Sequence, residues 1–361
     1  MKIGFYSFYA YANNNAMFLN SNAPIGDNLL YPLFYLGSFL MSKGHNVSTI
    51  DTDDVGAYDL IIFLDLPELN DSLFKRAIKS KIDLYLILLE SPMIRPENWE
   101  VRNHIYFKKI LTWNNKNIDN IRYKHYFLPV KLQSFAFSNK QKFCVMIASN
   151  KFHSNDKREL YTARREVIRW YEEFRPSDFE LYGYGWEVGS PSKFLEYVLC
   201  NISVVNKIYS KLLESRTFKS ILRKVQKPYR LYYGSVSAKH SVLLQFKFAY
   251  CYENAKDINC YITEKIFDCF YAGVVPIYFG APDISNYIPS TTFINRSDFN
   301  SLMELHRYLE RMDTGLYLSY ISSIKSFLES EKCRVFGAEY FASLVHDTFI
   351  VNGNPAISSL D

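Results

Sequence analysis

The sequence is poor in the features that mark most special classes of protein. Among its 361 residues are six cysteines, Cys144, Cys200, Cys251, Cys260, Cys269 and Cys333, and no two form a CxxC pair. That spacing gives no zinc ribbon and no dithiol redox motif, and the expectation is buried free thiols in a reducing compartment. The seven histidines are scattered, without ligand spacing for a metal. No apolar run reaches the roughly 20 residues of a membrane span; the stretch 29–41 is too short and contains Pro32. The chain opens directly into KIGFYSF with no signal-peptide pattern, so a cytoplasmic protein is expected. Internal repeats and low-complexity tracts are absent. A general basic excess is missing too. The net charge is +5, but residues 206–230 hold Lys207, Lys211, Arg216, Lys219, Arg223, Lys224, Lys227 and Arg230 against Glu214 alone, a local +7, leaving −2 for the remainder. A nucleic-acid partner for the whole chain is therefore not expected.

What is present is apolar and aromatic. Hydrophobic residues make up 48% of the chain, with 29 Tyr and 28 Phe, enough for two full cores and for tyrosine-rich clefts that suit carbohydrate. In the first half strands alternate with helices: KIGFYSF, HNVSTID, DLIIFLDL and LYLILLE read as parallel strands, with KILTW and YFLPV completing the sheet. Helices are expected over 29–43 and 70–80. Around 134–141 the chain turns polar, which suggests a linker. Beyond it, 143–148 reads as a strand, 160–174 as a helix, ELYGYGW as a strand with a glycine turn, and 298–312 and 316–329 as terminal helices. The fold class is α/β, with an N-terminal domain over 1–140 and a C-terminal one over 141–361. The basic segment near 203–230 is inserted in the second as one or two amphipathic helices.

The most informative stretch is FAYCYENAKDINCYITEKIFDCFYAGVVPIYFG, residues 248–280. Residues 246–252 form a buried strand ending in Glu253-Asn254. Thr263 is a natural N-cap, and Ile266, Phe267, Phe270 and Tyr271 follow at helical spacing. Gly273 ends that helix, and 274–279 is a second buried strand. Such a βαβ unit sets its loop at the carboxyl ends of the strands, where open α/β sheets bind ligands. Tyr261, Glu264 and Lys265 sit at the helix mouth, whose N–H groups favour an anion. A lysine suits a phosphate and a carboxylate suits a sugar diol, so the loop fits a sugar nucleotide.

YEN, YITEK, AGVVPIYFGAP, NYIP and FIN, in that order over about residues 246–295, resemble the donor-site signature of the α-1,3/α-1,4-fucosyltransferases. Ala255 stands where that family usually has serine. The resemblance implies a GT-B glycosyltransferase, two Rossmann-like domains with the active site in an interdomain cleft. It implies transfer of L-fucose from GDP-fucose to a glycan hydroxyl with inversion. With neither the membrane anchor nor the Golgi stem of the animal members, and no C-terminal heptad repeats, the chain resembles the bacterial members. The implied acceptor is an N-acetylglucosamine- or glucose-type unit of a surface polysaccharide or lipopolysaccharide.

Glu90 ends the strand LYLILLE and begins an ESP motif that the family shares, where the glutamate is the proposed base; a carboxylate at a cleft edge, its pKa raised by partial burial, suits that task. Its position alone is equally that of a strand-end glutamate facing water. By the same resemblance Lys265 contacts the pyrophosphate, Glu264 the ribose hydroxyls and Tyr261 the nucleotide. A fixed cation there stabilises the leaving diphosphate as charge develops. Asn254 fixes a hydroxyl or simply satisfies a turn, and Glu253 contacts the fucose or orients Lys265. The family's Ser-Asn motif falls on Ser149-Asn150, and its phosphate-binding arginine on Arg164 first or Arg158 second. Gly183 and Gly185 let the backbone approach the nucleotide, although GxG alone is a weak signal.

No metal or other cofactor is expected. Asp51-Thr52-Asp53 is a DxD, but it falls in the first half, away from the donor loop, and reads as a strand-end loop. The basic stretch 206–230 interleaves Ile208, Leu212, Leu213, Phe218, Ile221, Leu222 and Val225 with its cations. It is either a solvated helix pair or a peripheral attachment to an anionic inner membrane. Two other functions fit parts of the pattern: transfer of a different nucleotide-linked sugar, and a non-catalytic sugar- or nucleotide-binding module, which needs no base.

Overall fold

The computed structural model describes residues 1–21, 28–152, 156–189, 191–192, 194–195, 198–199 and 202–351. Two compact units are built on separate sheets. The first gathers Met1–Gln133, Asn259–Glu264 and the chain from Ser330 on; the second gathers Ser134–Ile258 and Lys265–Glu329. A single cut near residue 140 therefore does not divide the chain. The physical reason lies in the C-terminal aromatics. Phe336, Phe341 and Phe349 are all but fully buried, packed against Phe127, Tyr126 and Tyr85 with ring centroids 4.5, 5.5 and 4.7 Å apart.

The first sheet has six strands: β1 (Lys2–Ser7), β2 (Asn46–Thr49), β3 (Leu60–Leu64), β4 (Asp83–Leu88), β5 (Lys109–Thr112) and β6 (Tyr123–His125). Their order is β2-β1-β3-β4-β5-β6, all parallel. LIIFL in β3 is buried at every position, as both faces of a parallel sheet require. The crossover helices expected over 29–43 and 70–80 span Tyr31–Ser42 and Ser72–Lys79; the second is capped by the Asp71 carboxylate, which accepts from Phe74 N. The sixth strand lies upstream of the expected YFLPV. Tyr123–His125 pairs with β5, while 126–130 adds one bond to that strand, from Tyr126 N to Thr112 O at 3.1 Å, and an isolated bridge at Val130. Pro129 has no N–H to give a ladder.

The second sheet has five strands: β7 (Lys142–Ile147), β8 (Phe179–Tyr182), β9 (Phe246–Tyr252), β10 (Val275–Phe279) and β11 (Ile294–Asn295), in the order β11-β10-β9-β7-β8, again all parallel. The chain leaves β8 on one side of β7 and returns as β9 on the other. That reversal makes the β7/β9 carboxyl edge a topological switch point, the usual ligand position in such sheets. Helix Tyr161–Phe174 joins β7 to β8, and Glu264–Tyr271 joins β9 to β10. The latter ends at Gly273, whose φ of +55° sits in the left-handed region, with Val274 N donating to Cys269 O. The terminal helices are Leu302–Glu310 and Thr314–Leu328. Between β8 and β9 the basic segment forms two helices, Ser203–Leu212 and Arg216–Val225. Cys144, Cys251, Cys260, Cys269 and Cys333 are buried thiols; Cys200 lies outside the described residues. Among the described residues, no helix is long and apolar enough to cross a membrane.

Candidate active site

Each unit presents a group of candidate residues at the carboxyl edge of its own sheet. In the second unit the edge is formed by 148–150 after β7, 183–185 after β8, Glu253-Asn254 after β9 and Gly280 after β10. Glu253 is fully buried, and its Oε2 lies 3.2 Å from Lys265 Nζ. Of the two partners read for Glu253 in the sequence, fucose and Lys265, this distance concerns the second. Lys265 is the second residue of its helix, its ammonium beside the carboxylate and 26% of its side chain exposed. Gly280 packs directly on Glu253: a Cβ there would stand 2.5 Å from Glu253 Cγ.

Arg164 is buried and clasps the same turn. Its Nη2 donates to Tyr252 O at 2.7 Å, Glu253 O at 2.8 Å and Asn254 Oδ1 at 3.2 Å. The structure thus gives Arg164 the task of shaping the loop that carries Glu253 and Asn254. Arg158, the second choice from sequence, is engaged by Asp156 through Nε at 2.9 Å and Nη2 at 2.7 Å. Arg165, next to Arg164 in the chain and fully buried, donates to Lys151 O and Thr162 Oγ1 and stacks on Phe152. Ala255 forms a bridge with Glu159 and is fully buried, so a small side chain suits the place.

Asn150 donates from Nδ2 to Gly185 O at 3.1 Å, and its buried Oδ1 has no hydrogen-bond partner among the described residues. Gly183 is obligatory by geometry. Its φ is +125°, and a Cβ would stand 1.9 Å from Ala148 O. Close approach here is between the turns after β7 and β8. Tyr261 is 4% exposed, its ring 5.1 Å from that of Trp113. The structure therefore gives Tyr261 a packing contact within the first unit rather than an open face. Glu264 opens the helix and is half-buried.

In the first unit Glu90 follows β4, and the three-residue strand end that leads to it is clamped on all sides. Tyr126 Oη donates to Leu88 O at 2.7 Å, Trp113 Nε1 to Leu89 O at 3.0 Å and Trp99 Nε1 to Glu90 O at 3.2 Å. From the other side Asp65 Oδ1 accepts from Leu89 N at 2.7 Å, Glu90 N at 3.1 Å and Asn98 Nδ2 at 2.6 Å. Asp65 is fully buried in the left-handed region at φ +63°. Burial pushes its carboxyl up to about 7, the charge of Glu90 adds to the rise, and the three donors oppose it. The phenol of Tyr9 donates to Glu90 Oε1 and stacks on Tyr11 at 5.2 Å. Burial and the Glu90 charge raise both phenols, that of Tyr11 to about 12. The arrangement fixes one Glu90 oxygen with a neutral donor while the backbone beneath it is immobilised.

Sequence reading located Glu90 but not Tyr9, Asp65, Asn98, Trp99, Trp113 or Tyr126. The available signal was the presence of Trp and Tyr next to strand ends, since buried indole and phenol groups usually find a backbone acceptor. Beside this cluster, a cavity of about 360 Å³ opens at the ends of β1 and β2, lined by Phe8, Asn13, Asp51, Glu68, Asp71 and Arg95 among others. The DxD aspartates are both engaged. Asp51 accepts from Asn14 N at 2.9 Å, and Asp53 pairs with Lys2 at 2.8 Å.

Residues 205–334 match the family model described as glycosyltransferase family 10 (fucosyltransferase) C-term. The chain is 28% identical over 247 residues to 4-galactosyl-N-acetylglucosaminide 3-alpha-L-fucosyltransferase 9 of Bos taurus, a match spanning 66% of this chain and 52% of that one. It thus spans about half the length of that curated relative. A solved alpha1,3-fucosyltransferase with GDP-fucose superposes with a TM-score of 0.50 at 15% identity, over 91% of this chain and 90% of that one. The T4 phage beta-glucosyltransferase superposes with a TM-score of 0.52 at 13% identity, over 97% of this chain and all of that one. Two parallel α/β sheets shared with both enzymes make the fold class GT-B. At these identities the structural likeness speaks for the fold; the likeness in sequence is to fucosyltransferases.

Proposed function

We propose that this chain, whose residues 205–334 carry the family 10 fucosyltransferase pattern, transfers L-fucose from GDP-fucose to a glycan hydroxyl with inversion. The observation that carries this reading is a coincidence of pattern and place. The residues through which the chain resembles fucosyltransferases, Glu253, Asn254 and Lys265, gather at the switch point of the second sheet, with Lys265 fixed by a buried carboxylate.

Glu90 takes the proton of the acceptor hydroxyl as that oxygen attacks C1 of fucose from the face opposite GDP. The C1–O bond to the diphosphate breaks, and its electron pair leaves with GDP. The Lys265 ammonium stabilises the growing negative charge more in the transition state than in the ground state. Tyr9 holds one oxygen of Glu90, leaving the other for the hydroxyl. Glu264 and Asn254 serve the ribose and sugar hydroxyls, and Asn150, with its unpartnered Oδ1, offers an acceptor to the nucleotide. No metal is needed in this scheme, because a lysine meets the diphosphate.

The finer reading is a bacterial-type enzyme of the cytoplasm. Its acceptor is an N-acetylglucosamine or glucose unit of a surface polysaccharide or lipopolysaccharide, met at an anionic membrane face. The buried thiols suit a reducing compartment. A second reading is transfer of another nucleotide-linked sugar, since an ammonium held as Lys265 is suits the diphosphate of any such donor. A donor screen separates the two: GDP-fucose, GDP-mannose and UDP-sugars against a glycan panel, with mass detection. The expected product gains one deoxyhexose from GDP-fucose alone. A product from a UDP-sugar instead would replace the first reading by the second.

A further inference from the structure

The helices Ser203–Leu212 and Arg216–Val225 carry more apolar surface than their core needs. Tyr209 and Leu222 pack with Val188 and Leu199, flanked by Val205, Leu213 and Phe218, and this closes the inner face of the pair. A second apolar set stays outside. Val204, Ile208 and Leu212 recur every four residues and are 66%, 55% and 42% exposed; Ile221 and Val225, also four apart, are 53% and 72% exposed. At 3.6 residues per turn the first three fall within a strip of about 80°. Lys207 and Lys211 border that strip, and Lys224 borders the other. An isolated exposed leucine needs no explanation, but an exposed apolar stripe on each of two helices that share one inner cluster does.

The charge on the same surface selects the occupant. Lys219 is paired with Glu187 at 3.3 Å, and Arg230 donates to Glu172 O at 2.8 Å. Lys207, Lys211, Arg216, Arg223, Lys224 and Lys227 form no ion pair among the described residues. They are exposed, and the whole net positive charge of the chain resides in this segment. Unpaired cations beside exposed aliphatic side chains match the two layers of an anionic bilayer surface, phosphate outside and acyl chain beneath. A nucleic acid would use the cations and leave the aliphatic stripes in water.

We propose that these two helices form a peripheral docking surface for an anionic lipid bilayer. Lys207, Lys211, Arg223 and Lys224 bind headgroups, and Ile208, Leu212, Ile221 and Val225 enter the headgroup–acyl boundary. The proposal is independent of which sugar the enzyme transfers. Attachment has two components. The electrostatic one fades as salt shortens the screening length. The apolar one does not.

The test is co-sedimentation of the full chain with vesicles of phosphatidylcholine alone and of phosphatidylcholine with phosphatidylglycerol, at low and high salt. The protein is expected to sediment with the anionic vesicles only and to retain a salt-resistant fraction. Replacing Lys207, Lys211, Arg223 and Lys224 with Gln should lower partitioning at least about a hundredfold at low salt. Replacing Ile208, Ile221 and Val225 with Gln should remove the salt-resistant fraction while leaving the low-salt attraction. All seven side chains are exposed, so the thermal transition should not move, and that control separates lost docking from lost folding. Absence of sedimentation with anionic vesicles at low salt would overturn the proposal. So would apolar substitutions without effect combined with equal binding to soluble polyglutamate, which would make the surface a purely ionic site for an acidic protein.

Discussion

Lys265 Nζ stands 3.2 Å from Glu253 Oε2, with the carboxylate completely buried and the ammonium partly open to solvent. The asymmetry gives the pair a direction. A buried charge must be paired, so Glu253 constrains Lys265, and the exposed side of the ammonium is the one the proposed function gives to the diphosphate. Arg164 fixes Tyr252, Glu253 and Asn254 through their oxygens, so the direction is imposed on the whole turn.

Lys265→Ala should therefore affect binding and stability together. A charge-assisted phosphate contact contributes about 1.5–3 kcal/mol, so GDP affinity should fall roughly tenfold or more. Loss of the cation beside a buried carboxylate should lower stability by about 1–3 kcal/mol. Calorimetric titration with GDP and a denaturant melt check the two effects separately. An unchanged GDP dissociation constant would remove Lys265 from the donor site.

Asp65 predicts a pH dependence. Its carboxyl is raised from 3.8 to about 7, first by burial. Below about pH 3.8 it is protonated in folded and unfolded chain alike. As the pH rises toward 7 the unfolded chain releases the proton while the folded one keeps it, so this group's contribution to stability falls across that window, by up to about 1.4 kcal/mol per pH unit. Asp65→Asn removes the slope. Asparagine tolerates the left-handed backbone at this position and still offers an oxygen to the N–H groups of Leu89 and Glu90. Melting temperatures of the two proteins, measured from pH 4 to 7, should converge at the acid end and separate toward neutrality, with the wild type losing ground. Parallel curves would contradict the raised carboxyl.

Under the proposed function activity should persist in excess EDTA: the scheme assigns the leaving diphosphate to Lys265, and the DxD aspartates are engaged by Asn14 N and Lys2. Complete loss of turnover, restored by Mn²⁺ or Mg²⁺, would reassign Asp51 and Asp53.

The chain showed some of these features before folding and concealed others, for identifiable reasons. Strands such as LIIFL and the βαβ unit around 246–279 were legible because burial on both faces writes an unbroken apolar run, and the loop between them carries an ordered motif. The return of Phe336, Phe341 and Phe349 to the first unit was not legible, since periodicity says that a helix is buried but not against which sheet. Glu90 stood out through the ESP motif at a strand end, since the strand-end position alone fits a solvated glutamate as well. The clamp around it could not be read, because Asp65, Trp113 and Tyr126 come from three separate strand ends that only the sheet order brings together. The phosphate role of Arg164 comes from the family resemblance alone; its contacts with the oxygens of Tyr252, Glu253 and Asn254 depend on the register of Tyr161–Phe174 against β9, which no local pattern encodes.

The central claim is that Glu90 is the base of a fucosyl transfer whose donor contacts lie elsewhere. The most direct measurement pairs GDP-fucose turnover with GDP titration for the wild type and Glu90→Gln. Removal of a general base costs about 10²–10⁴ in rate, while the donor residues, which sit on the other sheet, are untouched. The expected result is a turnover loss of that size with GDP affinity unchanged. Near-normal transfer by Glu90→Gln, or a large loss of its GDP affinity, would contradict the assignment.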